Sequence, residues 1–439
     1  MIKRDSAKVT VPSPSERPDE VLARFNEDAF GYLDELAGEH GTLFSLPLGN
    51  IGGLGLADID RNGSWVFLSR PHQVKIMYES SGEALSGAEA NKIFFGTDEA
   101  SVAYIEGNAH RKRRQQLHPA FGGSRDYSGL VLTELARRSE TWPKGVPFPL
   151  FEELQAMTAA IITEVVCGNM SNEDRSLIRT MLLRTENAKY TREEVLSADK
   201  DIRALIADSL PRYHKLNGTR SPDTISSLVH LASEGDVELT DEVIRDEAFS
   251  LLYTGFSTTA NTLAWTLVRL SRDRRVLQLL TESIVSSVGD AGVSRESVNA
   301  IPYLEAVLKE VLRLHPVTAL NGVRLLREDV ELDGYHIPAG SVLVHCAHLL
   351  QRSSDVFDAP DEFLPERFVN APLDRYSWGA FGGGSRMCVG RGFSMNEMKL
   401  VLAKVLLEYE LQAVDAELPT ARLQGFFMAP ADGALVELA

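Results

Sequence analysis

The run from Phe381 to Gly390 reads FGGGSRMCVG and sets one thiol, Cys388, in a glycine-rich turn. Glycines let backbone approach a large flat group, because no Cβ stands in the way. Apolar residues recur with helical spacing just beyond, at Phe393, Met398, Val401, Leu402, Val405, Leu406 and Tyr409. The thiol therefore stands just ahead of a helix N-terminus, where the macrodipole and unpaired N–H groups favour thiolate over thiol. A thiolate suits a metal, and one cysteine alone cannot build a structural zinc site. A metal that brings most of its own ligands, as haem iron does, needs only one from the protein. The competing description of any cysteine is a small buried hydrophobe. Cys167, in an apolar run, and Cys346 fit that description; Cys388, flanked by glycines and an arginine, does not.

A second place for chemistry is the segment Thr254, Gly255, Phe256, Ser257, Thr258, Thr259. It falls in the middle of a long helix expected from Thr240 to about Arg269. Thr240 can cap that helix, and Asp241 and Glu242 stand in its first turn. Gly255 costs about 1 kcal/mol relative to alanine, and threonine hydroxyls compete for backbone carbonyls. On pattern alone this is a tolerated kink in a core helix. Two charged pairs share helix faces elsewhere. Glu310 and Arg313 are three apart in a helix stopped by Pro316, and His110 and Arg114 are four apart in a basic stretch.

Taken in order, these features resemble the cytochrome P-450 family. The cysteine run matches the haem-thiolate signature F-x-x-G-x-R-x-C-x-G at Phe381, Gly384, Arg386, Cys388 and Gly390, with Ala380 where the family often has proline. The resemblance implies haem b (iron protoporphyrin IX) as cofactor and Cys388 as its axial iron ligand. Arg386, His110, Arg114 and Arg324 would serve the propionates, with Phe381, Gly382 and Gly390 against the ring. The central pattern A/G-G-x-D/E-T is matched by Gly255 and Thr258, so Thr258 is the candidate for steering protons during dioxygen activation, with Thr259 beside it. The family's acid is replaced by Ser257, and its alanine position by Thr254. A serine cannot titrate near neutral pH, so the usual acid–alcohol relay is incomplete. Glu310, Arg313 and Arg367 resemble the family's buried charge cluster and are assigned to fold stability and haem retention. The resemblance also places the substrate pocket at 84–106 (Phe94, Phe95), at 181–210, at Tyr253 and Phe256, at Val317 to Leu320, and at 426–428 (Phe427).

The fold class implied is mainly α, a cytochrome P-450 fold with a large helical body and a small β-rich region. Strands are expected at Trp65–Leu68, 330–332 and 342–345, where apolar and β-branched residues cluster between turn signals. The 439 residues carry 45 basic and 62 acidic side chains, a net charge of −17, which excludes a nucleic-acid-binding chain. No linker or repeat divides them, so residues 21–439 read as a single domain behind an extended or disordered lead-in, 1–20. Three cysteines, an odd number, and no long apolar run point to a cytoplasmic protein without membrane or disulfides, a monomer by default.

The function implied is oxidation of a mid-sized, largely hydrophobic small molecule, with a secondary metabolite preferred, using dioxygen and electrons from a ferredoxin and ferredoxin reductase. Arg111, Lys112 and Arg113 would face outward as a dock for the acidic donor. Oxidative coupling or cyclisation is the alternative, made more credible by Ser257. A peroxygenase and a non-catalytic haem sensor are further readings.

Overall fold

The computed structural model describes residues 9–48, 64–80, 82–95, 99–187, 189–216, 223–318, 320–369, 374–424 and 427–439. Helices dominate, and the longest, the central helix Asp241–Arg272, organises the rest. Its 32 residues span ~48 Å. Thr240 caps it by accepting a hydrogen bond from the Val243 amide at 3.3 Å, and Arg269 and Arg272 stand at its negative C-terminal end.

The expected weak point at Gly255 is helical throughout. The threonine hydroxyls bond back along the helix instead of disrupting it. Thr254, Thr258, Thr262 and Thr266 donate to the carbonyls of Ser250, Thr254, Thr258 and Thr262 at 2.8, 3.1, 2.9 and 2.6 Å. Gly255 serves close packing against the buried helix Phe151–Cys167, since a Cβ there would lie 2.6 Å from Ile162 Cγ1. Cys167 sits in this core with no exposure, as its apolar neighbours suggest.

Five strands form one sheet in the order Leu43–Leu46, Trp65–Leu68, Val342–Cys346, Leu320–Leu326, Leu85–Ser86. Trp65–Leu68 pairs parallel with Val342–Cys346, and every residue of both is buried. All three expected strands are present, the last running one residue further to Cys346. Residues 9–12 lie against strands: His336 N donates to Val9 O at 2.8 Å and Ser45 N to Pro12 O at 2.7 Å. The first helix opens at Pro18, inside the expected lead-in, whose residues 1–8 lie outside the described residues.

Helix Pro302–Leu314 carries the charge cluster to the interior. Glu310 and Arg313 have no exposure at all. Arg313 grips the carboxylate in two-pronged fashion at 2.7 and 2.9 Å and donates to the carbonyls of Gln351, Pro360 and Glu362. Arg367 joins through Nε at 3.0 Å and donates to Asp358 and Ala359 carbonyls, while the Leu364 amide caps Glu310 at 2.9 Å. One carboxylate thereby organises the irregular chain from 351 to 367 that leads to the cysteine loop. Among the described residues, no helix is long and apolar enough to cross a membrane.

Candidate active site

The cysteine loop is tied by its own backbone. Cys388 N donates to Phe381 O at 2.9 Å, and Gly382 N to Gly379 O at 2.8 Å. Gly382 and Gly384 adopt φ of 70° and 63°, a left-handed conformation that side chains rarely take. Gly384 also passes so close to Tyr78 that a Cβ would stand 2.4 Å from its carbonyl oxygen. Helix Arg391–Glu408 follows with Gly390 at its cap, so the thiol precedes the helix as expected. The side chain is exposed to the cavity; desolvation by the surrounding loop raises the thiol above its ordinary value, while the Gly390 and Arg391 amides that bond the sulfur lower it, as do the Arg114 and Arg391 charges. A coordinated metal would hold it as a thiolate, because it deprotonates a thiol ligand outright.

Cys388 faces a cavity of about 440 Å³. His110, Arg114, Arg324 and Arg386 converge on the same space. His110 is buried, and desolvation with the Arg386 and Arg114 charges lowers its pKa to about 4. Arg324 is 8% exposed and lies over the Tyr78 ring at 5.5 Å. Arg386 donates to the carbonyls of Ala103 and Ile105 at 3.3 and 2.5 Å and meets Glu106 at 3.3 Å. Three guanidiniums and an imidazole thus face one nearby carboxylate, Glu106. Such an excess calls for more anion. Haem, a flat group with two carboxylates and an iron able to take a thiolate, fits this donor set.

The central helix forms the opposite wall. Tyr253, Thr254, Gly255, Thr258, Thr259 and Thr262 line the cavity, as a helical period of 3.6 requires. Ser257 and Phe256 do not: both are fully buried on the far side of the helix, which corrects the expectation that Phe256 lines the pocket. Ser257 instead donates its hydroxyl to Glu186, and Asn261 Nδ2 donates to Ser257 Oγ at 3.1 Å. Of the expected pocket residues, Val317, Leu320 and Phe427 line the cavity. The side chains of Phe94 and Phe95 lie outside the described residues, as does Phe426. No described residue of 181–210 reaches it, whereas Phe25 and Leu33 from the first two helices, Pro18–Glu27 and Ala29–His40, do. Their apolar spacing marks them only as helix faces, so nothing in the sequence singled them out.

Helix Gly107–Phe121 carries the basic stretch, and here too the structure corrects an expectation. Arg113 points inward and pairs with the fully buried Glu247 at 2.8 Å. Lys112 is engaged by Asp236 and Glu238 at 2.7 and 2.9 Å. Arg111 stays exposed on a second concavity of about 970 Å³ around the cysteine loop, which Arg114, Arg391, Lys309 and Lys399 also line.

A lone thiol beneath a cation-rimmed cavity, with a threonine-lined helix across from it, defines the class of haem-thiolate proteins. Residues 191–436, more than half of the chain, match the family model described as Cytochrome P450, and the chain belongs to the cytochrome P-450 family. It is a monooxygenase-type oxidoreductase whose cofactor is haem. Cytochrome P-450 135B1 of Mycobacterium tuberculosis is 29% identical over 400 residues, covering 86% of this chain and 82% of the relative. Cytochrome P-450 138 of the same species is 27% identical over 407 residues, 87% of either chain. The solved structure of retinoic acid bound cyanobacterial CYP120A1 is similar in fold, with a TM-score of 0.79 over 99% of this chain and 100% of that one at 21% identity.

Proposed function

We propose that this protein oxidises a mid-sized, largely hydrophobic small molecule of secondary metabolism, with dioxygen as oxidant and electrons from a ferredoxin and its reductase. The observation that carries the reading is the apolar cavity with Cys388 on one wall and Thr258 on the other. Bound there, haem supplies reductive activation of dioxygen, which a thiolate ligand promotes. Cys388 would hold the iron as a thiolate, and His110, Arg114, Arg324 and Arg386 would neutralise the propionates. The Thr258 hydroxyl, held by the Thr254 carbonyl, presents an oxygen to the cavity that can accept and pass a proton. Phe25, Leu33, Tyr253, Val317, Leu320 and Phe427 offer a largely apolar surface suited to a hydrophobic substrate. The concavity behind Cys388, with Arg111 and Arg391 exposed on it, supports docking of an acidic electron donor.

The optical spectrum of reduced protein under carbon monoxide tests the ligation. A strongly red-shifted Soret band is expected; its absence overturns Cys388 as thiolate ligand. Product analysis with isotopic dioxygen then tests oxygen insertion. Coupling or cyclisation is the second reading, favoured by the serine in the family's acid position, and it leaves the product unlabelled.

A further inference from the structure

We infer that Glu186 is the acid of the central helix, replacing from another helix the carboxylate absent at position 257 and passing protons through the Ser257 hydroxyl toward Thr258. The destination of the proton rests on the haem-thiolate reading above; the acid itself does not.

Glu186 caps the C-terminus of helix Asn172–Thr185 and is 3% exposed. Its carboxylate accepts the hydroxyl of Ser257, which has no exposure. Asn261, 1% exposed, donates to Ser257 O at 2.9 Å and to Ser257 Oγ at 3.1 Å, so the hydroxyl is held from both sides. A serine oxygen has one proton to give and two lone pairs to accept with. When Glu186 is protonated the bond can reverse: the carboxyl O–H gives its proton to Ser257 Oγ, and Ser257 releases its own. The released proton is destined for Thr258, the next residue, whose position about 100° further round the helix lies on the cavity face, and the carboxylate regains one from solvent. No electrons move, and each group ends as it began.

Burying a carboxyl this deeply is costly unless it is neutral or well bonded. Burial pushes Glu186 up to about 8, with the Ser257 hydroxyl opposing, so the group holds its proton near neutrality. Among the charged groups around it, Tyr253 on the central helix feels Glu186, Asp199 of helix Arg192–Leu216, and Tyr104. Asp199 is itself raised to about 6 by burial, despite Arg203.

Infrared titration of the purified protein tests the acid directly. Wild type is expected to show a protonated-carboxyl band that disappears with a midpoint near pH 8 and is missing in Glu186→Gln. Glu397, also buried and raised to about 8, is the control, because Glu397→Gln must remove a different component. If Glu186→Gln removes no band, Glu186 is already ionised and the proposal falls, whatever the protein does with haem. In the holoenzyme, Glu186→Gln is expected to keep the substrate-induced spin change but lower coupled turnover roughly 10²-fold, with electrons diverted to peroxide. The alkaline limb near pH 8 should vanish with it. Glu186→Gln with Ser257→Asp should recover coupling at least about tenfold, since the acid returns to the helix itself. Unchanged coupling and pH profile in Glu186→Gln, or no recovery in the double variant, overturns the relay. Absence of the carbon monoxide band in wild type would remove the haem-thiolate reading and leave the infrared result standing.

Discussion

The two walls of the cavity are built in opposite ways. Behind Cys388 the wall is backbone: left-handed glycines, a loop closed by the Phe381 carbonyl, and amides aimed at the sulfur. Across from it the wall is side chain, a regular helix that shows threonines to the cavity and hides Phe256 and Ser257 behind. Backbone geometry depends on particular residues at fixed offsets, so the cysteine wall tolerates little change and its motif is intact. A helix face fixes only direction. A group missing from it can be supplied by any neighbour that reaches the same spot, and Glu186 reaches Ser257 from another helix. One wall therefore fails as a whole when broken, whereas the other can be rewired.

The largest effect should come from the cysteine wall. Cys388→Ala leaves the loop but removes the ligand, so the carbon monoxide spectrum should lose its red-shifted band and turnover should fall to background. Glu310→Ala comes next. It strands Arg313 and Arg367 in the interior at ~3–5 kcal/mol, a large share of the ~5–15 kcal/mol that holds a protein folded. Haem-free or insoluble protein is expected in expression trials, and a well-behaved holoprotein would break the assignment of that cluster.

Ser257→Asp probes the rewired wall. It places a second carboxylate against Glu186 in a buried site, where one of the two must stay protonated. Denaturant melts should show destabilisation by Ser257→Asp when Glu186 is present and relief when Glu186→Gln is added, a coupling of ~1–3 kcal/mol. Unchanged stability, coupling and products in Ser257→Asp would mean that neither position handles protons.

The pH dependence of stability sharpens the same point. The folded state keeps the Glu186 proton up to about pH 8, while the unfolded chain loses it near 4.5. The unfolded state binds fewer protons in that window, so stability falls as pH rises and levels off above it. His110, lowered from 6.5 to about 4, acts in the opposite direction but only below 6.5. Between pH 6.5 and 8, Glu186→Gln should therefore flatten the decline in melting temperature, by up to about 1.4 kcal/mol per pH unit. The smallest effect belongs to the rim. Arg111→Glu should slow reduction by an acidic ferredoxin up to about tenfold at low salt and hardly at high salt. Arg113→Glu should unfold the protein instead, because it faces buried Glu247.

Much of the site was legible because its parts are contiguous. The cysteine loop, the Glu310–Arg313 pair and the His110–Arg114 pair each lie within a few residues, where spacing translates directly into geometry. The placement of Phe256 and Ser257 was not legible, since a helix pattern apolar on several sides does not say which side meets the cavity. Nor was the inward turn of Arg113, whose partner Glu247 lies 134 residues away. Phe25 and Leu33 likewise reach the cavity only through the way their helices pack.

By itself the sequence determined the family, the cysteine that would hold iron, the threonine across from it, and the absence of an acid at position 257. Those are properties of short stretches, governed by covalent spacing and local backbone preference. The tertiary structure alone decided that Glu186 meets Ser257, that Arg113 is spent on Glu247, and that burial raises the Glu186 carboxyl. Each depends on burial and on contacts between residues distant in the chain, and desolvation is set by everything packed around a group, not by its neighbours in sequence.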